Sequence, residues 1–253
     1  MHDLAVIILA AGKGKRMRNA ALPKVLHTLH GKPLIDYVVE TAMALQPQHL
    51  IVVVGYLKEK VQTHLRQRFP DTISFAEQPQ QLGTGDAVLH AAPLLQQFTG
   101  TVLVLNGDVP LVQVATLQQL LHQHWEHSAI VSVLTTELED PAGYGRIVRD
   151  ENGGFLRIVE EKDASEEERQ IREVNTGIMA VETPPLFELL REVQPNNAQG
   201  EYYLTDIIAI CTKHGYPVQA VPGAHPIETY GVNRPEHLQF LEQFLSSQPI
   251  DSK

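Results

Sequence analysis

The chain has 253 residues, is 43% hydrophobic and carries a formal net charge of −10. This length is sufficient for one large α/β domain or a domain with a small lobe, and the acidic balance disfavours general nucleic-acid binding. No apolar run approaches the roughly 18 residues of a membrane helix, so no membrane partner is expected. Cys211 is the single cysteine. Without a second thiol no intramolecular disulfide can form, which favours a cytoplasmic location, and the apolar sequence around Cys211 predicts a buried, inert thiol.

Apolar, strand-like runs alternate with helix-length segments over the first 140 residues. This alternation is typical of a mostly parallel sheet with helices on both faces, and near-continuous β-branched runs suit strands that are buried on both sides. The sequence therefore predicts a Rossmann-like α/β fold. The predicted strands and helices, in chain order, are strand 5–10, helix 33–45, strand 49–56, helix 58–69, strand 72–78, helix 86–98, strand 101–111, helix 116–128 and strand 129–138.

The pattern changes after residue 140, where two alternating strands flank a predicted turn at 151–154. We expect one unit over residues 1–233, with a small β lobe inserted at about 140–181, followed by a C-terminal helix and tail at 234–253. The remaining predicted elements are an exposed loop or short helix at 165–173, a strand at 174–182, helices at 186–193 and 201–215, a strand at 218–223 and a helix at 234–245.

Positive charge is concentrated near the N-terminus. Residues 4–35 contain no Asp or Glu, and an acidic protein with one basic patch is typical of an enzyme that holds a small polyanion. The alternative is a solvated basic face, which is less favoured because several of the cations lie in a Gly-rich turn after a strand. The segment contains six of the chain's 20 Lys and Arg residues: Lys13, Lys15, Arg16, Arg18, Lys24 and Lys32.

The Gly-rich turn reads LAAGKGKRM over residues 9–17. Glycine lets backbone N–H groups approach and surround phosphate oxygens. The turn matches neither the phosphate loop GxxxxGK[ST] nor the dinucleotide pattern GxGxxG, so an ATPase and a Rossmann dehydrogenase lose their main support. The turn indicates phosphate binding, and a simple tight turn remains the alternative.

Two further loops follow predicted strands. Asn106-Gly107-Asp108 ends an apolar strand, and its carboxylate could hold a divalent cation, although Gly-Asp is also a common turn. The Gly-Thr-Gly sequence at 83–85 could cap a helix or surround a ligand. Because all three loops follow strands of a mostly parallel sheet, we expect them at one edge of that sheet, where ligands bind in such folds.

Nine motifs occur in the order LAAGKGKRM, PKVLHTLHGKPL, QLGTGDA, NGDVPL, GYGRIVRD, VEEKDAS, VNTGIMA, NNAQGEYYLTDII and GVNRPEHL. Over residues 4–237 the chain resembles the N-terminal uridyltransferase domain of the bacterial bifunctional N-acetylglucosamine-1-phosphate uridyltransferase/glucosamine-1-phosphate acetyltransferases, within the sugar nucleotidyltransferase family. The first motif marks the sugar nucleotidyltransferases in general. NNAQGEYYLTD, VNTG and VEEKDA together indicate the N-acetylglucosamine-1-phosphate branch.

The resemblance implies that UTP and N-acetylglucosamine-1-phosphate react to give UDP-N-acetylglucosamine and pyrophosphate with the help of Mg²⁺. It implies phosphate-holding catalytic roles for Arg16 and Lys24, and Mg²⁺ binding by Asp108 and Asn233. The residues implied to bind the sugar and its N-acetyl group are Gly145, Glu160 and Asn175. Those implied to bind the nucleotide, with Gln78 reading the uracil edge, are Leu9, Ala10, Ala11, Gly12, Gln78, Gly83 and Thr84.

The chain departs from the family pattern at several points. Lys15 stands where the family has a small hydroxyl residue, the Arg16–Lys24 segment is one residue longer, and Asn106 occupies a variable position. No hexapeptide repeat of the acetyltransferase β-helix is present in this sequence, so we expect no acetyltransferase activity from this chain and a monomer or weak dimer. Among the 12 histidines, His124 and His127 share a face of the predicted helix but His122 points away, and no cysteine or carboxylate completes a set of zinc ligands with them.

Two alternatives remain at this point. The chain could use another sugar-1-phosphate or another nucleoside triphosphate, which pocket residues decide. It could also be a non-catalytic nucleotide-sugar sensor or binding module. The second alternative is disfavoured because Arg16, Lys24, Asp108 and Asn233, the residues implied for phosphate and metal binding, are all present.

Overall fold

The computed structural model describes residues 2–223 and 225–247, and the tail at 248–253 lies outside the described residues. The strands are β1 Leu4–Ala10, β2 Thr28–Leu29, β3 Lys32–Pro33, β4 His49–Val54, β5 Ser74–Glu77, β6 Thr101–Asn106, β7 Val131–Glu137, β8 Arg146–Arg149, β9 Phe155–Val159, β10 Glu173–Glu182 and β11 Val218–Pro222. The α-helices are α1 Leu34–Ala44, α2 Lys58–Arg68, α3 Thr84–Leu89, α4 Val114–Glu126, α5 Thr183–Glu192, α6 Asp206–His214 and α7 Pro235–Ser247.

Within the described residues the main sheet contains nine strands, seven of them in the order β11-β7-β10-β6-β1-β4-β5. The pairs β1–β4, β1–β6, β4–β5 and β11–β7 are parallel. Strand β10 is antiparallel to both β6 and β7. The prediction of a mostly parallel α/β sheet is therefore confirmed. Among these seven strands β10 runs the opposite way, and β9, which is antiparallel to β8, does so in the remaining pair.

Strand β1 shows why the apolar runs are nearly continuous. Ala5 and Ile7 lie in one core cluster, together with residues of α3, α5 and α6. Val6 and Ile8 lie in a second cluster on the opposite face, together with residues of α1, α2 and α4. Because successive side chains of a strand point to opposite faces, a strand covered by helices on both sides needs an apolar residue at every position.

Two predicted helices are shorter than expected. The helix predicted at 86–98 is α3, which ends at Leu89 and is followed by a short 3-10 turn containing Pro93. Proline lacks the N–H that would continue an α-helix and disfavours helical backbone in the residue before it. The helix predicted at 201–215 begins only at Asp206, although Gly215, with φ 73°, ends it as expected.

The late start of α6 has a tertiary cause. The backbone N–H of Tyr202 donates to the carbonyl oxygen of Leu82 at 2.8 Å, and its carbonyl accepts from Gly85 at 2.8 Å. Residue 202 therefore pairs with the loop around 83–85 and cannot make helical hydrogen bonds as well. The segment before α6 thus supports a loop that was predicted to bind a ligand.

The segment at 140–181 contains the predicted hairpin, formed by β8 and β9 around a turn at 150–154. The hairpin joins the main sheet through one pairing of Arg146 with Val174 of β10. The other end of β10 pairs with β6 in the centre of the sheet. The hairpin is therefore an extension of the main sheet, and the division of the chain into 1–233, an inserted lobe at 140–181 and 234–253 stays a prediction.

A third, small core connects distant parts of the chain. Met17 and Leu29 pack with Leu34, Val232 and Leu241 of α7. This cluster fixes the basic turn after β1 against the loop that precedes α7. In the described residues, no helix is both long enough and apolar enough to span a membrane.

Candidate active site

The carboxyl ends of β1, β5 and β6 open into one cleft of about 990 Å³. The expectation that the three loops meet at one edge of the sheet is confirmed. Every residue for which the resemblance implies a role lines this cleft, although these roles stay predictions. The lining residues in question are Leu9, Ala10, Ala11, Gly12, Arg16, Lys24, Gln78, Gly83, Thr84, Asp108, Gly145, Glu160, Asn175 and Asn233.

The Gly-rich turn after β1 is shaped by close contacts. The carbonyl oxygen of Leu9 accepts from the N–H of Gly107 at 3.0 Å, which joins this turn to the loop after β6. Gly14 has φ 56°, and a Cβ added there would lie 2.7 Å from Cβ of Lys24. Only glycine fits this left-handed position without displacing Lys24. The turn thus determines where the Lys24 side chain can lie.

Lys24, Asp108 and Asn233 form the polar centre of the cleft. The Lys24 ammonium forms an ion pair with Oδ2 of Asp108 and donates to Oδ1 of Asn233 at 3.1 Å. Only 18% of the Lys24 side chain and 15% of the Asp108 side chain are exposed. The Lys24 ammonium therefore contacts an oxygen atom of each of the two residues that were predicted to bind the metal.

The Asp108 and Asn233 oxygens suit Mg²⁺ chemically. Mg²⁺ prefers oxygen ligands and binds through one or two carboxylates, with phosphates and water completing its shell. Among the described residues there is no group of three or more His, Cys, Asp or Glu side chains that could hold a metal ion. One carboxylate and one amide oxygen fit an ion that shares its coordination with substrate phosphates.

The end of the cleft that was predicted to bind the base is organised by Gln78, which is only 3% exposed. Its amide nitrogen donates to the carbonyl oxygen of Gly83 at 3.0 Å and to Oδ2 of Asp86 at 2.7 Å. Both amide hydrogens are therefore engaged, and the side-chain oxygen is the group left to accept a hydrogen bond. Gly83 has φ 125°, and a Cβ there would overlap the backbone of Tyr202.

Glu160, Gly145 and Asn175 lie together at the other end of the cleft. Oε1 of Glu160 accepts from the Thr205 hydroxyl at 3.1 Å. Burial raises the pKa of Glu160, an effect that this hydrogen bond partly offsets. A Cβ on Gly145 would lie 2.9 Å from Ile158 and 3.3 Å from both Glu160 carboxylate oxygens. A larger residue at position 145 would therefore crowd the carboxylate.

A bulge in β10 positions Asn175. The strand register shifts between Asn175 and Met179, and Oδ1 of Asn175 accepts from the N–H of Gly177 at 2.8 Å. The Asn106 amide donates to the carbonyl oxygen of Gly177 at 3.3 Å. Bulges commonly redirect a side chain next to an active site. This bulge joins the end of β6 to the residues predicted to bind the sugar.

Several lining residues were not predicted from the sequence, namely Gln81, Asn106, Tyr144, Thr176, Arg234 and His237. Each is within a few positions of a predicted site residue, and that proximity was the available signal. Burial, together with the charges of Tyr230 and Asp108, raises the pKa of Tyr144.

Four of the six cations predicted to bind a polyanion line the cleft, namely Lys13, Lys15, Arg16 and Lys24. Arg18 and Lys32 are not among the lining residues, and they form ion pairs with Glu236 and Glu40. In the part of the chain that the structure describes, Lys24 pairs with Asp108, but no ion pair is found for Lys13, Lys15 or Arg16. Unpaired cations in a cleft favour negative ligands. Arg234, which was not predicted, adds a fourth cation to the lining of the cleft, also without an ion pair among the described residues.

Two groups outside the cleft have structural roles. His124 is 1% exposed, and its ring nitrogens contact Ser132 at 2.8 Å and Glu182 at 3.0 Å. Its hydrogen-bonding capacity is thus used within the core. The prediction that Cys211 is buried is confirmed, and burial together with the charge of Glu192 raises its pKa to about 12.

A cleft at the carboxyl edge of a parallel sheet, with a Gly-rich basic turn and the side-chain oxygens of Asp108 and Asn233 at its centre, is typical of a nucleotide-binding α/β protein. A sequence profile of the nucleotidyl transferase family matches residues 5–225. The chain belongs to this family.

Two curated relatives within this family are similar to nearly the whole of the chain. The bifunctional protein GlmU of Pelotomaculum thermopropionicum is 44% identical over 249 residues, which cover 98% of this chain and 53% of that protein. GlmU of Dechloromonas aromatica is 52% identical over 238 residues, or 94% of this chain and 51% of that protein. The chain thus spans about half the length of the curated relatives it matches, and the resemblance to part of such bifunctional proteins is confirmed.

A solved structure supports the fold. The structure of a UDP-glucose pyrophosphorylase complexed with UDP-glucose superposes with a TM-score of 0.78, covering 97% of this chain and 99% of that chain. The two sequences are 20% identical. The likeness therefore concerns the fold, which agrees with the predicted α/β class.

Proposed function

We propose that this chain transfers the uridylyl group of UTP to N-acetylglucosamine-1-phosphate and releases UDP-N-acetylglucosamine and pyrophosphate. The carrying observation is the meeting of Lys24, Asp108 and Asn233 at the centre of a cleft whose two ends present Gln78 and Glu160. Membership of the nucleotidyl transferase family and the similarity to GlmU proteins support this reaction class and substrate.

The reaction needs no protein nucleophile. A phosphate oxygen of the sugar phosphate attacks the α-phosphorus of UTP, a new P–O bond forms, and the bond to the β-phosphate oxygen breaks to release pyrophosphate. Such reactions are accelerated by alignment and by charge stabilisation. Lys24, held by Asp108 and Asn233, and Arg16 on the Gly-rich turn would bind the phosphates. Mg²⁺ held by Asp108 and Asn233 would neutralise part of the negative charge of the substrate phosphates.

The uracil base would be recognised by one hydrogen-bond acceptor, the side-chain oxygen of Gln78. Uracil carries an N–H at position 3, whereas cytosine has an acceptor there. The bonds from both Gln78 amide hydrogens to Gly83 and Asp86 fix the orientation of the amide, so its oxygen is the group that would accept from this N–H. Backbone groups of residues 9–12, with Gly83 and Thr84, would surround the base and ribose.

The sugar end would use three side-chain and backbone contacts. The Glu160 carboxylate can accept hydrogen bonds from sugar hydroxyls, and the Asn175 amide can pair with the acetamido group. Gly145 leaves room beside the carboxylate. Because a site built to bond a polar substituent rejects analogues that lack it, Asn175→Ala should impair N-acetylglucosamine-1-phosphate more than glucose-1-phosphate. Equal losses would remove Asn175 from the acetamido site.

The deciding experiment measures pyrophosphate release with both substrates and with each substrate omitted. We expect release only when UTP, N-acetylglucosamine-1-phosphate and Mg²⁺ are all present. A panel of other triphosphates and sugar-1-phosphates tests the alternative that the same cleft serves different substrates. Tight UTP binding without turnover in Mg²⁺ would instead support a sensor, and release without sugar phosphate would contradict the transfer.

The location and assembly state are also proposals. We place the enzyme in the cytoplasm, where UTP is available, and this agrees with the single buried Cys211. A monomer or weak dimer is proposed for the chain. Gel filtration with light scattering over a range of protein concentrations measures the assembly state directly.

A further inference from the structure

Arg146 is an unusual residue for its position. It is only 1% exposed and is the largest of the fully buried side chains. It does not line the cleft, although Gly145 before it does. A buried guanidinium is costly unless it is paired and hydrogen-bonded. The buried guanidinium of Arg146 therefore needs hydrogen-bond and charge partners that compensate for its loss of contact with water.

The hydrogen-bond partners of Arg146 are the backbone of the short loop before Gly145 and the side chain of Glu161. One terminal nitrogen donates to the carbonyl oxygen of Tyr144, and the other donates to Oε2 of Glu161 at 2.8 Å. The same Glu161 oxygen accepts from the backbone N–H of Gly143 at 3.1 Å. The guanidinium and the carboxylate together thus hold the backbone of residues 143 and 144, directly before Gly145. The buried Nε of Arg146 has no hydrogen-bond partner among the described residues.

The strand pairing of β8 places Arg146 beside the residues predicted to bind the sugar. Arg146 is paired with Val159 of β9 and with Val174 of β10. The residue before Arg146 is Gly145, and the residues after its two strand partners are Glu160 and Asn175. The N–H of Asn175 also donates to the carbonyl oxygen of Gly145 at 2.8 Å. Each of the three predicted sugar-binding residues is therefore next to Arg146 or to one of its strand partners.

The charges agree with this arrangement. Desolvation opposes ionisation of Glu161, but hydrogen bonds from Arg146 and Gly143 and the charges of Arg146 and Arg169 outweigh it and lower the pKa of Glu161. Glu161 is therefore a charged partner for Arg146. The Arg146 charge also partly offsets the burial that raises the pKa of Glu160.

We infer that Arg146 and Glu161 form a positioning clamp that sets the geometry of Gly145, Glu160 and Asn175 for the sugar phosphate without touching the substrate. This inference rests on the proposed function. It predicts that loss of the clamp impairs the sugar-phosphate site while the nucleotide site, built on β1 and on the loop after β5, is preserved.

The test compares Arg146→Lys and Glu161→Gln with Arg149→Lys. Arg149 lies on the same strand and pairs with Glu173 at 2.8 Å, but it does not line the cleft. For both clamp variants the KM for N-acetylglucosamine-1-phosphate should rise about tenfold, as expected for one lost hydrogen bond to a charged group. The KM for UTP should stay within about twofold, and Arg149→Lys should change neither KM beyond that.

Amide hydrogen exchange provides a readout that does not depend on activity. In the clamp variants, exchange should become faster in peptides covering 143–146 and 159–162, with no change in peptides covering 9–17. If the unmodified chain shows no turnover, the proposed function fails, whereas faster local exchange would still support the clamp. Unchanged exchange, or an equal rise in both KM values, would overturn the inference. If Arg146→Lys does not fold, the Glu161→Gln variant, at a side chain that is 33% exposed, carries the test.

Discussion

The backbone N–H of Val232 donates a hydrogen bond of 2.9 Å to the carbonyl oxygen of Asp108. This bond joins the loop after β6 to the loop before α7, which are far apart in the sequence. It places the side chains of Asp108 and Asn233 within reach of the same Lys24 ammonium. The small core around Met17 and Leu241 supports the junction from behind. The centre of the cleft is therefore held by backbone contacts as well as by charge.

Neutralising Asp108 should nearly abolish turnover. Asp108→Asn keeps the side-chain shape but removes the charge that binds Lys24 and would bind Mg²⁺. Removal of one charge-stabilising contact typically costs on the order of 10²-fold or more in rate. Asn233→Ala should lower turnover less and raise the Mg²⁺ concentration needed for half-maximal rate. Steady-state rates over a Mg²⁺ titration, with EDTA as a zero-metal reference, measure both effects.

Asp71→Asn is the matched control for this experiment. Asp71 lies before β5, at the opposite edge of the sheet from the cleft. The substitution Asp71→Asn removes one negative charge, as Asp108→Asn does. Its rate and Mg²⁺ dependence should equal those of the unmodified chain. An Asp108→Asn protein with near-normal turnover and unchanged Mg²⁺ dependence would refute the metal assignment.

Gln78 should determine nucleotide affinity and leave sugar-phosphate affinity unchanged. Gln78→Met removes the acceptor proposed for uracil, and we expect the KM for UTP to rise about tenfold. The preference for UTP over CTP should fall because the N–H at position 3 of uracil no longer finds an acceptor. Gln67→Met, at an exposed position of α2, is the control. If the KM for both substrates rises equally, Gln78 supports the fold and does not read the base.

Gly177 should be intolerant of alanine for two separable reasons. It has φ 78°, and an added Cβ would overlap Nδ2 of Asn106. Gly200 has φ 64° with no heavy atom within 4 Å of the added Cβ, so it isolates the backbone strain. Gly200→Ala should cost about 1–2 kcal/mol in unfolding free energy, and Gly177→Ala about 1–3 kcal/mol more. Urea unfolding measures both, and equal costs would contradict the proposed overlap.

Asp206 should make stability depend on pH. Desolvation, with a contribution from the charge of Asp163, raises the pKa of Asp206 from 3.8 to about 6. The folded state therefore holds this proton more tightly than the unfolded state, and stability falls as pH rises from the unfolded to the folded pKa. Between pH 5 and pH 7.5, the unmodified chain should lose about 1 kcal/mol of unfolding free energy relative to Asp206→Asn.

Denaturant unfolding at the two pH values tests this prediction. Glu188→Gln, which neutralises an exposed carboxylate on α5, is the control and should follow the pH dependence of the unmodified chain. If Asp206→Asn also follows that dependence, Asp206 does not titrate with a raised pKa in the folded protein.

The class of fold and the place of the cleft were predictable because their signals are local. A strand covered on both faces needs an apolar residue at each position, as Ala5, Val6, Ile7 and Ile8 show. Loops after parallel strands meet at one edge of the sheet, so the polar residues of these loops had to converge. The chemistry of Asp108 as a charged oxygen ligand is likewise a property of the residue itself.

Features that depend on distant partners were decided by the tertiary structure. Helix α6 starts late because Tyr202 bonds to Leu82, and β10 runs antiparallel because the chain returns from the hairpin between two strands already directed the other way. Arg146 is buried despite its charge because Glu161 and the carbonyl of Tyr144, which the sequence pattern does not identify as its partners, compensate for that charge. Local sequence specifies which groups are present and where strands end, whereas burial and hydrogen-bond partners arise only when remote segments pack together.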